Sequence, residues 1–167
     1  MGSGRRCSTI GDVGRPFEPV AGGVRVDLPA SVRDLLRQIL PQLRDVLEGG
    51  DASRDPALAR MFPAAYPDDP LRSLEFETSV GSELLRERLD AIRTMEDSLD
   101  ADRLSDEQLL AWHATVNGLR LVLGTRIGIT EDVSLEEVSD DDRPAFELYH
   151  DLTALEAWIV DVLPLGT

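Results

Sequence analysis

Apolar residues recur along the chain with two different periods. Phe17 to Val20 and Val24 to Leu28 flank Ala21-Gly22-Gly23, and in the second arm Val24, Val26 and Leu28 alternate with Arg25 and Asp27. A period of two predicts a hairpin with one buried face. Pro19 has no N–H to donate, which places the first arm at a sheet edge. A lone hairpin is marginal in water, so it has to pack on helices.

Beyond Leu28 the period lengthens to that of a helix. Val32, Leu36, Ile39, Leu43 and Val46 form one stripe, with Ser31 as expected N-cap and Gly49-Gly50 as the stop. Pro41 lies inside this stripe, where it deletes a hydrogen bond and crowds the preceding turn, so a kink or break is expected near Ile39. Asp55 to Phe62 predicts a short helix capped by Asp55 with Pro56 in its first position. A third helical pattern runs from Leu71 to about Leu99, with Leu85, Leu89, Ile92, Met95 and Leu99 on one face and Gly81 as a dividing point. Ser105-Asp106-Glu107-Gln108 reads as a capping box before a stripe of Leu109, Trp112, Val116, Leu119, Leu123 and Ile127, closed by Gly128. Thr130 to Asp142 is an acidic connector, and Pro144 opens a last helix with Leu148, Leu152, Leu155, Ile159 and Val162 in line. The expected fold is mainly α: a bundle of about four longer helices with an N-terminal β-hairpin, in a single domain over 16–167 behind a flexible tail over 1–15.

Composition agrees with one globular domain, since 167 residues at 42% apolar and 29% charged bury a core without staples. Neither a signal peptide nor an apolar run near the ~20 residues of a membrane span is visible, so a cytoplasmic protein is expected. Charge changes the picture more. The 17 basic residues, all arginine, face 32 acidic ones for a net −15, and 105–167 hold three arginines against thirteen acids. Such a field repels phosphate, which disfavours direct DNA binding and favours a basic protein surface as partner.

Chemical motifs are sparse. His113 and His150 stand in no metal-ligand spacing and read as partly buried structural histidines. The acid clusters at Asp68-Asp69, Glu131-Asp132, Glu136-Glu137 and Asp140-Asp141-Asp142 fit no calcium loop; Asp141 and Asp142 read as caps for the last helix. No nucleophile elbow, phosphate loop or lysine is present, so no enzyme, metal or cofactor is expected. The most distinctive stretch is Asn117 to Ile129, where Asn117, Arg120, Thr125 and Arg126 are set into an apolar helix. Arg120 and Arg126 are expected to clamp carboxylates of Glu131, Asp132 or the last helix, with a partner contact as the other reading. Gly124 in mid-helix predicts close approach of another backbone. Cys7 has no intramolecular partner and is the redox candidate.

Asp55-Pro56-Ala57-Leu58-Ala59-Arg60-Met61-Phe62-Pro63-Ala64-Ala65-Tyr66, the Asn117 to Ile129 stretch, and Phe17-Glu18 with Gly22-Gly23 together resemble the actinobacterial domain-of-unknown-function family two-thousand-seventeen over about residues 16–163. The resemblance implies an oxidative-stress transcriptional regulator that works with an alternative sigma factor. The redox sensing it implies needs two cysteines, and with Cys7 alone only an intermolecular bond is available. Glu75-Phe76-Glu77-Thr78 also departs from the basic stretch of that family. The expected function is therefore a non-enzymatic regulatory protein whose partner is a basic surface, a sigma factor or another transcription component, with self-association into a homodimer left open. The alternative is a small-molecule or anion-binding module, or an enzyme, with a pocket near Arg120 and Arg126.

Overall fold

The structure is a computed structural model that describes residues 10, 14–50, 54–62, 68–69, 71, 81–129 and 138–164. Strands β1 (Phe17–Val20) and β2 (Gly23–Val26) form the hairpin, followed by helices α1 (Ala30–Gly49), α2 (Pro56–Met61) and α3 (Ser82–Asp97). A two-residue strand β3 (Arg103–Leu104) then leads into α4 (Asp106–Arg126) and α5 (Arg143–Val162). Four long helices and an N-terminal hairpin match the expected architecture.

The hairpin has a two-residue loop, Ala21-Gly22, between the paired Val20 and Gly23. Its edge strand is β1, as Pro19 requires, and the alternation puts Val24 and Val26 into the core while Arg25 reaches Glu18 outside. The hairpin is not alone. β3 adds to the far side of β2, pairing Leu104 with Val24 and Arg103 with Arg25, and Val26 N–H donates to Asp102 C=O at 2.8 Å. Two residues are too short to show a period, so the third strand leaves no sequence signal. Gly23 permits it: its φ is +147°, and a Cβ there would lie 2.1 Å from the Leu104 carbonyl oxygen.

Helix α1 corrects two expectations. It begins at Ala30 behind Pro29 rather than at a Ser31 cap, and it runs through Pro41 to Gly49 without a break, one of the two outcomes expected there. Its buried stripe of Val32, Leu36, Leu40, Leu43 and Leu47 is held along its whole length by the core, and that packing outweighs the bond lost at Pro41. Gly81, the expected dividing point, is the N-cap of α3; residues 72–80 before it lie outside the described residues. Asp55 caps α2 as expected, its side chain accepting from Ala57 N–H at 2.9 Å, and Ser105 and Gln108 close the capping box of α4. Asp142 stands at the N-cap of α5, yet its side chain accepts from the Ser139 hydroxyl instead of capping the helix.

Helix α4 is the axis of the bundle. α3 and α5 pack on it most extensively, with α2, α1 and the sheet completing the shell. Its buried residues, Leu109, Trp112, Thr115, Val116, Gly118, Leu119, Val122 and Gly124, go most of the way around, as a central helix requires. Trp112 is at the centre, with no exposed area and its ring edge-on to Phe17 at 6.2 Å. Ile10, inside the segment expected to be a tail, is 1% exposed and belongs to the same core.

One polar side chain ties the layers together. Arg33 on α1 donates from Nε to Leu28 C=O at 3.1 Å and from Nη1 to the carbonyls of Leu99 and Ala101, with Val26 C=O at 3.5 Å from Nη2. It joins the exit of β2 to the link between α3 and β3, and the carbonyls of Leu28, Leu99 and Ala101 that it satisfies lie outside any strand.

Candidate functional site

The distinctive stretch of α4 faces α5, and the two arginines on it have different surroundings. Arg120 donates from Nη1 to Glu156 Oε2 and from Nε to Thr153 Oγ1 at 3.1 Å, and its guanidinium lies 5.6 Å from the centre of the Tyr149 ring. Thr153 in turn donates to Tyr149 C=O at 2.8 Å. The side chains of Arg120 and Glu156 are 23% and 13% exposed, so the pair is shielded from water. Arg120 is thus the internal clamp expected from sequence, and its acid comes from the last helix. Sequence could name the helix; it could not single out Glu156 among that helix's acids.

The other oxygen of Glu156, Oε1, lies 3.8 Å from His113 Nδ1, a nitrogen closed off from water and without a hydrogen bond. His113 is half-buried as expected. His150 is exposed, against expectation, with its ring edge-on to Tyr149.

Arg126 behaves differently. Its side chain is 55% exposed, and among the described residues it pairs with Asp55 at 4.0 Å, the residue that caps α2. Glu131 and Asp132, the other expected partners, lie outside the described residues, as does Cys7. Thr125 turns its hydroxyl back to Leu121 C=O at 2.7 Å within α4, and Asn117 is half-buried on the same helix. The close approach expected at Gly124 is real, but what approaches is a ring: a Cβ there would sit 2.9 Å from Tyr149 Cε2.

Among the described residues, Arg120 and Arg126 line different cavities. Arg126 stands with Gln42 at a half-open groove of about 100 Å³ walled by Ile39, Leu43 and Val46 of α1, Leu119, Val122 and Leu123 of α4, and Leu148 and Leu152 of α5. Arg120 lines a separate cleft of about 80 Å³ with Arg60, Leu121, Gly124, Ile129 and Tyr149. Sequence reasoning missed Arg60, which sits in the last turn of α2 and had read only as part of a helix. Among the described residues, no group of three or more His, Cys, Asp or Glu is placed to hold a metal ion, and no helix is long and apolar enough to cross a membrane.

Two of the three stretches that carry the family resemblance, one containing α2 and one ending α4, meet here. Met61 Cε lies 3.2 Å from where a Gly118 Cβ would stand, and Asp55 faces Arg126. The chain belongs to the family described as a domain of unknown function, DUF2017, whose model matches residues 14–163. No curated protein and no solved structure matches the chain.

Proposed function

We propose that this family member is a non-enzymatic regulatory protein of the cytoplasm that acts by docking a basic protein surface, a sigma factor or another transcription component. The observation that carries the reading is the groove between α1, α4 and α5: eight apolar side chains, half-open to solvent, on a chain of net charge −15. A groove of about 100 Å³ admits one branched aliphatic side chain. An amphipathic helix that lays such an anchor into it would bring basic flanking residues against an acidic body, so charge steers the encounter and apolar burial holds it.

Among the described residues Arg120 and Arg126 line separate cavities, which counts against the alternative of one ligand or enzyme site built on both. The test is capture of native cytoplasmic proteins on the immobilised chain at low and moderate salt, with identification by mass spectrometry, in parallel with Ile39→Gln. Ile39 lines the groove and is half-buried, so the variant polarises the groove without hollowing the core. One basic protein that is retained by the parent chain, weakened by salt and lost on the variant is the expected result. Recovery of chaperones alone, or equal capture by both chains, overturns the proposal.

A further inference from the structure

The geometry points to the cleft between α2, α4 and α5 as a subsite for a phosphoryl group, with Arg60 and Arg120 as its donors. Two guanidiniums from different helices line one cleft of about 80 Å³, a size that suits a single phosphoryl group and excludes a whole nucleotide. Arg120 is already fixed in orientation, because Thr153 holds Nε, Glu156 holds Nη1 and the Tyr149 ring lies 5.6 Å away. Neither of those hydrogen bonds uses Nη2, which carries two further N–H groups. Arg60 is exposed at the end of α2 and supplies the second fork.

Several features of the chemistry favour this ligand. Glu156 offsets the charge of Arg120, and Arg60 adds a second guanidinium to the cleft in a chain that is strongly acidic as a whole. Two planar forks offer more donors than a two-oxygen carboxylate takes up, whereas three terminal phosphoryl oxygens accept from both. Gly124 also serves the site: it lets the Tyr149 ring lie flush on α4, where any Cβ would meet Cε2 at 2.9 Å, and so keeps that wall in place. The subsite does not depend on the groove or on the docking proposal, because the two cavities share no lining residue.

The phosphoryl group has two sources, free inorganic phosphate and a phosphorylated side chain on a partner, and one titration separates them. Amide chemical shifts of the full chain are followed by nuclear magnetic resonance while sodium phosphate replaces sodium chloride at constant ionic strength, then again with a short phosphoserine peptide. Saturable shifts confined to Arg60, Leu121, Gly124 and Ile129 are expected. Arg60→Gln, whose side chain lies outside the core, weakens them by about tenfold or more, while Arg126→Gln at the neighbouring groove changes them by less than about twofold. Arg60→Lys, which keeps the charge and loses the fork, falls between. Tighter binding of the peptide assigns the group to a partner; equal binding assigns it to free phosphate. Shifts that are linear in phosphate, spread over the surface, or unchanged in Arg60→Gln overturn the assignment.

Discussion

The indole N–H of Trp112 donates to the Ser98 hydroxyl at 2.8 Å, and both residues are shut off from solvent. Ser98 is the C-cap of α3, and its own hydroxyl donates to Thr94 C=O at 2.6 Å. One hydroxyl thus satisfies the only polar atom of the largest core side chain and ties the end of α3 to the middle of α4. Ser98→Ala leaves the indole donor buried and unpaired, so urea unfolding should show a loss of about 1–3 kcal/mol. A loss within about 0.5 kcal/mol, the size of an ordinary surface change, would show that the bond carries no weight.

Arg120→Met keeps the aliphatic bulk and strands Glu156, and should lower stability by about 2–4 kcal/mol. Arg120→Met with Glu156→Gln removes the stranded charge as well and should recover part of that loss. Equal midpoints for the single and double variants would mean that Glu156 reaches water once Arg120 is gone.

Arg33 donates to carbonyls of two segments far apart in the chain, at Leu28 and at Leu99 and Ala101. Arg33→Met should cost about 2–3 kcal/mol, since charge-assisted bonds are lost and carbonyls are left without partners. Arg33→Lys should restore only a fraction, because a single ammonium cannot span the fork. Full rescue by lysine would contradict the role given to the guanidinium.

Two glycines on α4 should respond oppositely to alanine. At Gly118 the new methyl meets Met61 Cε at 3.2 Å, the far end of a flexible side chain that can give way, so the helix-propensity gain of up to about 1 kcal/mol should appear. At Gly124 it meets the Tyr149 ring at 2.9 Å, and that ring is held against Arg120, so the same change should destabilise. Thermal midpoints of the two variants on the same side of the parent would refute this account.

Pro41 lies exposed inside the unbroken helix α1. Pro41→Ala restores an intrahelical donor, against a smaller entropic gain for the unfolded chain, and should raise stability by about 1–2 kcal/mol. A lower denaturation midpoint would mean that the helix depends on the proline's shape.

Local chemistry alone determined most of the secondary structure and much of the core. The period-two run at Val24 to Leu28, the Asp55-Pro56 start, the Ser105 capping box and the stop at Gly128, whose φ is +67°, are all short-range features that act over two to four residues. The stripe Leu152, Leu155 and Ile159 was legible for the same reason. Packing decided the rest. Whether α1 breaks at Pro41 depends on how much of its length the core holds, and β3 exists because β2 offers an unpaired edge. The bonds of Arg33 to Leu99 and Ala101, the choice of Glu156 for Arg120, the ring over Gly124 and the meeting of Arg60 with Arg120 join residues that are tens of positions apart. Such pairs leave no periodic trace, because the energy of a long-range contact depends on where whole helices dock and not on the residues beside it in the chain.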